Sequence, residues 1–182
     1  AEPTFDELDP EKFFRRFPEG EYDIEGYTLD GEERESEVYL SHIIPAAPVV
    51  LSVDGEAPAE NCDADELPVV DPEDGVTIDW EPVTMSHATL PPGSDIVDIS
   101  ENVIYYEFVA EIDETPFKST AIVPAGVTEW TIPGEFIDLL DGLEDEEGEP
   151  IEEIKFEILV RVDNGEGNPG NKSAMESCFV VD

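Results

Sequence analysis

The chain is expected to be mainly β, with a short N-terminal helix and a β-hairpin followed by an antiparallel β-sandwich. Three observations predict this. Short segments alternate apolar and polar side chains, Gly, Pro, Asn and Asp separate them at regular spacing, and a single stretch near the N-terminus carries helix signals. With 182 residues, 40% of them hydrophobic, there is enough apolar material for a packed core.

Asp9-Pro10-Glu11-Lys12-Phe13-Phe14-Arg15-Arg16-Phe17 reads as one short helix, with Asp9 as N-cap and Pro10 in the first turn. Pro18 and Gly20 stop it. Phe13, Phe14 and Phe17 share an apolar stripe that must pack on something, which makes them interaction candidates. Residues 21–29 and 32–43 flank Asp30-Gly31, a two-residue hairpin signal, with Tyr22 and Ile24 on one strand and Val38 and Leu40 on the other. A lone hairpin is marginal in water, so it needs the helix, the following domain or strands from another chain.

Pro45-Ala46-Ala47-Pro48 reads as a short stiff linker, Val49-Val50-Leu51-Ser52-Val53 as a first strand, and 54–74 as an acidic loop. Gly75-Val76-Thr77-Ile78-Asp79-Trp80 puts Val76, Ile78 and Trp80 on one face. In 104–112 the inward set is Ile104, Tyr106, Phe108, Ala110 and Ile112, with Glu107 and Glu111 outward. Two short strands at 117–123 and 127–132 surround Pro124-Ala125-Gly126. Residues 134–150 form a loop or short helix holding Leu143-Glu144-Asp145-Glu146-Glu147-Gly148, a charge run read as a solvated face. Ile154, Phe156, Ile158 and Val160 then face inward against Lys155, Glu157, Leu159 and Arg161, and a turn at 163–170 leads to a last strand at 173–181. The count is about seven strands over roughly 130 residues, as in a sandwich.

Forty-eight Asp and Glu against 8 Lys and Arg give a formal net charge of −40. Nucleic acid and anionic lipid surfaces are excluded as partners, because both are bound through Lys/Arg clusters. Self-repulsion at this density is relieved by salt, so a marine or halophilic setting is expected; a secreted protein charged only for solubility is the alternative. No apolar run of about 18 residues occurs, so no helical membrane span is expected. Ala1 opens an acidic segment unlike a signal peptide, and any export signal is expected to have been removed.

Cys62 and Cys178 have neither metal-site nor redox spacing. They are candidates for one long-range disulfide closing about 115 residues, with two buried free thiols as the alternative.

Gly75-Val76-Thr77-Ile78-Asp79-Trp80-Glu81-Pro82-Val83 resembles the second strand of fibronectin type III domains, where a Trp plugs the core and a Pro follows. Ile104-Tyr105-Tyr106-Glu107-Phe108 is similar to that fold's third strand and Val127-Thr128-Glu129-Trp130-Thr131-Ile132-Pro133 to its fifth. The whole chain also resembles a group of uncharacterised secreted bacterial proteins in its helix and hairpin, Pro-Ala linker and Ser177-Cys178-Phe179 ending. That likeness implies three parts: a helix and hairpin segment at 1–44, a linker, first strand and acidic loop at 45–74, and a fibronectin type III-like (Ig-like) domain at 75–182. It also implies that a preceding β-rich segment has been removed. Ile154 stands at the family's tyrosine-corner position, so the usual hydroxyl is missing there, and the 137–152 loop is longer and more acidic.

No catalytic chemistry is legible. His42 and His87 have no motif around them, and Ser86 beside His87 is not a triad, because neighbours on an extended chain point apart. With so many carboxylates a glycosidase pair carries no information. Asp63-Ala64-Asp65-Glu66 and Asp163-Asn164-Gly165-Glu166 place oxygen ligands in turns, so Asp63, Asp65, Asp163, Asn164 and Glu166 are calcium candidates, with solvated acidic loops as the competing reading. Trp130 is inward or else an exposed sugar platform or interface anchor.

The expected function is a non-enzymatic extracytoplasmic structural or adhesive module, secreted or at a bacterial cell surface. Its partners would be protein, foremost further copies of itself in an oligomer or filament. A polysaccharide-binding accessory module, with Trp130 and Tyr105 exposed, is the second reading, and a hydrolase the third.

Overall fold

A computed structural model of the protein describes residues 9–71, 75–113, 115–144 and 148–182. The acidic opening at 1–8, the end of the acidic loop at 72–74 and the Asp145-Glu146-Glu147 part of the charge run lie outside the described residues.

Helix α1 (Pro10–Arg16) starts where its signals put it: the Asp9 carboxylate accepts a hydrogen bond from the Glu11 amide at 2.9 Å, and Pro10 takes a first-turn position that needs no amide donor. Arg15 and Arg16 occupy the last turn, where their charge suits the carbonyl end of the helix. Strands β1 (Gly20–Tyr27) and β2 (Glu33–Leu40) then pair antiparallel, with Tyr22 opposite Val38. Their turn is longer than Asp30-Gly31 suggests. Thr28 donates to the Glu32 carbonyl and Gly31 to the Thr28 carbonyl, which leaves a three-residue loop of Leu29, Asp30 and Gly31. A two-residue type I′ turn needs positive φ at both central residues; here only Gly31, at 84°, has it.

The body contains two sheets. In one, β5 (Gly75–Trp80) lies between β3 (Val50–Val53) and β8 (Glu129–Pro133), all antiparallel. The other has the order β4 (Val69–Val70), β10 (Pro169–Val181), β9 (Glu153–Asp163), β6 (Val103–Glu111), β7 (Lys118–Pro124). Its pairings are antiparallel except that β4 runs parallel to the end of β10, Val69 opposite Val180 and Val70 opposite Val181. The fully antiparallel arrangement expected from sequence is therefore modified at this edge. Two apolar residues after Pro68 are too short a run to show period-two alternation, so Val69 and Val70 read as loop.

One core joins the two sheets. Val76, Ile78, Trp80 and Ile132 come from the three-stranded sheet; Tyr106, Phe108, Phe156, Ile158 and Phe179 come from the five-stranded one. The rings form a chain: Trp80 lies 5.4 Å from Tyr106 and 6.3 Å from Phe108, Phe108 6.1 Å from Phe156, and Phe156 6.2 Å from Phe179. Each such buried ring contributes roughly 2–3 kcal/mol in transfer from water, and the facing positions exist because period-two alternation is kept through every central strand.

One inward assignment changes, and one outward residue is buried. Ile104 is 37% exposed, because the β6–β9 register shifts between Val103 and Tyr105 and the extra residue turns out of the alternation. Leu159 lies on the outer face yet is only 6% exposed, flanked in register by Glu107 and Ala174. Beyond β8, helix α2 (Gly134–Ile137) and a 3-10 turn (Asp138–Leu140) bring Ile137 into the core. Cys62 and Cys178 form a disulfide that ties the β3–β4 loop to β10 across a separation of 116 residues.

Candidate interaction surface

The linker is pinned to the body rather than acting as a spacer. The Asn171 amide donates to the carbonyls of Ser41 (2.6 Å) and Ile43 (2.9 Å), and the Ser173 hydroxyl donates to that of Pro45 (2.6 Å). On its other side, the amides of His87 and Ala46 close bonds of 2.7 and 3.0 Å with Ile44 O and Met85 O respectively. Helix α1 docks on the same region through His42, whose Nε2 donates to the Phe17 carbonyl at 2.8 Å and whose ring meets Phe14 edge-on at 4.9 Å. Phe13 closes the cluster, 5.4 Å from Phe14 and 5.1 Å from Phe17.

Between α1, the end of β2, the linker and β10 lies a groove of about 690 Å³. Phe13, Phe14, Leu40 and Ile44 make it largely apolar, and His42, His87 and Lys172 supply its polar groups. One wall is the edge of β10. At the far end of that strand the Val180 and Asp182 amides point outward and donate to Pro68 and Val70 of the β4 segment, while the Val181 amide points inward to Glu152. The register runs unbroken from Lys172 to Val180, so the alternation sends the amides and carbonyls of Lys172, Ala174 and Glu176 outward too. Among the described residues no backbone group bonds to them.

Lys172 and both histidines line the groove, and Lys12, Arg15 and Arg16 lie exposed on α1, whose Phe13 and Phe14 contribute to the lining. Lys12 pairs with Asp9 at 3.7 Å. Among the described residues Arg15 and Lys172 have no partner, and Arg16 has only the face of Phe17, 5.5 Å away. With Arg161, which donates to the Gly170 carbonyl, four cations among the described residues stand without a carboxylate in a chain with 48 of them.

The hairpin has the opposite character. Glu21, Asp23 and Glu25 share one face with Glu33, Glu35 and Glu37, with Asp23 directly opposite Glu37 and Glu25 opposite Glu35. Like charges facing each other across strands oppose the pairing. The other face carries Tyr22, Ile24 and Val38, with Ile24 56% and Val38 44% exposed.

The calcium candidates fall in two separate stretches, the β3–β4 loop and the β9–β10 turn. Asp163 Oδ1 accepts from the amides of Gly165 (2.6 Å) and Gly167 (3.1 Å), and Asn164 Oδ1 from those of Glu166 (3.0 Å) and Asn168 (3.3 Å), so these oxygens close the β9–β10 turn. Asp63 and Asp65 lie in the β3–β4 loop. Among the described residues the one group of three His, Cys, Asp or Glu ligand atoms within 4.8 Å is Cys62, Glu153 and Cys178, whose sulfurs are bonded to each other. Burial pushes the Glu153 carboxyl above its usual range, and the charge of Asp113 adds to this.

Trp130 is half-buried and packs against the core beside Ile132 on β8; Tyr105 is half-buried on β6. Ser86 and His87 do not meet as a catalytic pair: Ser86 Oγ accepts from the Val97 amide at 2.9 Å, and His87 Nδ1 from the Thr89 amide at 3.2 Å. No protein-family model and no curated protein matches this chain.

Reading the sequence alone brings out Phe13, Phe14 and Phe17 but misses the rest of this surface. Its other wall comes from residues 171–174, far along the chain, and no local pattern at His42 or Lys172 signals that they meet.

Proposed function

We propose that the protein is a non-enzymatic extracytoplasmic module that acts structurally or adhesively by associating with further copies of itself, and that its body is a fibronectin type III-like sandwich. The fibronectin-like assignment is supported by the division into a three-stranded and a five-stranded sheet around the Trp80 and Tyr106 rings, with the last two long strands adjacent. An extracytoplasmic setting is supported by the Cys62–Cys178 bridge, since such bonds persist in oxidising compartments. The surplus of carboxylates fits a saline one.

The observation that carries self-association is the hairpin. Its two strands pair only with each other, its outer edges have no partner strand among the described residues, and Ile24 and Val38 are left in water. Sedimentation equilibrium from about 0.1 M to 3 M NaCl tests the reading, because screening lets molecules of like charge approach. We expect a weight-average mass that climbs above 20.1 kDa with protein and salt concentration. A mass fixed at the monomer value throughout would remove the proposal.

A further inference from the structure

We infer that the hairpin of one copy adds to the open edge of β10 in the next, seating its apolar face over the groove beside α1, so that copies join head to tail. This rests on the self-association reading above and names the two surfaces that would carry it.

Three features of the molecule fit together in this arrangement. First, the edge is available: the outward amides and carbonyls of Lys172, Ala174 and Glu176 have no backbone partner among the described residues, which is the template that strand addition uses. The hairpin offers the matching part, two strands with no strand on their outer edges among the described residues, β1 fully open and β2 bonded only at the Tyr39 carbonyl, which accepts from Asn164.

Second, the faces agree. Along β10 the odd-numbered Asn171 and Ser173 turn toward the linker side, where they hold its carbonyls, while Lys172, Ala174 and Glu176 lie on the outer face with Lys155. A strand added to this edge inherits the same alternation. One face of the incoming hairpin must therefore lie over Phe13, Phe14 and Ile44 and the other must continue the face of Lys172. One hairpin face carries Tyr22, Ile24 and Val38 beside Ser36 and Arg34, and the other carries six carboxylates beside Tyr27 and Tyr39.

Third, the charges agree. The six carboxylates of the hairpin strands include two like-charged pairs directly across the strands, and Lys172, which has no carboxylate partner among the described residues, lines the groove. Bringing Glu21, Asp23 or Glu25 to Lys172 gives that cation a carboxylate, eases the crowding on the hairpin and gives the contact a polarity. Groove and hairpin are different surfaces, so the contact is heterologous and every assembly keeps one free groove and one free hairpin.

Two variants and their mixture test this in the intact chain. Ala174→Pro removes an outward N–H without touching the ladder to β9, and Ile24→Lys charges the apolar face of the hairpin at an exposed position. Under salt conditions where the wild type sediments as a concentration-dependent series, each variant alone is expected to run as a monomer with unchanged far-ultraviolet circular dichroism. Mixed in equal amounts they are expected to form heterodimers and stop there, because only one intact groove and one intact hairpin remain per pair. If the wild type assembles and both variants do so equally, this inference is overturned while the self-association reading stands. Variants that stay monomeric when mixed also overturn it, since one good pair of surfaces would then be insufficient. A wild type that never assembles removes both.

Discussion

Tyr106 shows how much one side chain can do beyond filling the core. Its ring lies 5.4 Å from Trp80, and its hydroxyl oxygen accepts a hydrogen bond from the amide of Val83 at 2.9 Å, tying the segment after β5 to the opposite sheet. Burial raises its phenol above the ordinary range, so the hydroxyl stays neutral at working pH. Tyr106→Phe keeps the packing but strands a buried amide, and we expect a loss of about 1–3 kcal/mol by urea unfolding. An unchanged midpoint would mean that the Val83 amide finds another acceptor. Glu153 is the converse case. Its carboxyl titrates above its unfolded value, so it favours the native state below pH 4.5, and that contribution is lost as pH rises through the folded value. Glu153→Gln is therefore expected to melt above the wild type at pH 7 and level with it below pH 4.5, measured calorimetrically. The inward placement of Tyr106 is legible because it follows period-two alternation. Its bond to Val83 is not, because the partner comes from an irregular segment 23 positions away.

At the scale of elements, what the sequence shows clearly are the stretches with a local signal. Helix α1 begins at an Asp-Pro start, and β5, β6 and β9 follow unbroken alternation. What it hides depends on pairing across the chain: the two-residue β4, the register shift in β6 that turns Ile104 outward, and the third turn residue before β2. The disulfide stands apart from these: the sequence offers Cys62 and Cys178 as one long-range bridge, with two free thiols as the alternative, and the structure forms the bridge. Its role follows from what else holds the β3–β4 loop: the Asp54 amide donates to the Thr77 carbonyl, Val53 and Glu56 exchange backbone bonds, Ser177 Oγ donates to the Ala59 carbonyl, the Val180 amide to that of Pro68, and β4 pairs over two residues. Those few bonds secure little of the segment at 54–68. Replacing both cysteines, Cys62→Ala with Cys178→Ala, is expected to cost about 4–5 kcal/mol through restored unfolded-chain freedom. Limited proteolysis should then cut first within 54–68. Equal cleavage patterns in the two proteins would show that the other bonds suffice.

For the molecule as a whole, the deciding quantity is a net charge of −40 against a small set of ion pairs. Among the described residues those pairs are five, three of them in one outer-face group where Lys155 meets Glu176 and Glu111, and Lys118 meets Glu111. Lys155 is held charged above its usual range by the Glu176 hydrogen bond. Every other carboxylate adds to a repulsion that unfolding relieves by spreading the charges apart. Screening reduces that penalty: the Debye length falls from about 10 Å at 0.1 M salt to about 3 Å at 1 M. We therefore expect the melting temperature at pH 7 to rise steeply with NaCl at low concentration and then flatten once the screening length drops below the spacing of surface carboxylates. Sulfate would keep raising it, because a strongly excluded anion also strengthens apolar burial, and comparison of the two salts separates the effects. Repeating the series near pH 4, where many carboxyls are protonated, should shrink the NaCl response. A response of equal size at both pH values would mean that the carboxylates are not its source, and that apolar burial alone sets the salt dependence of this fold.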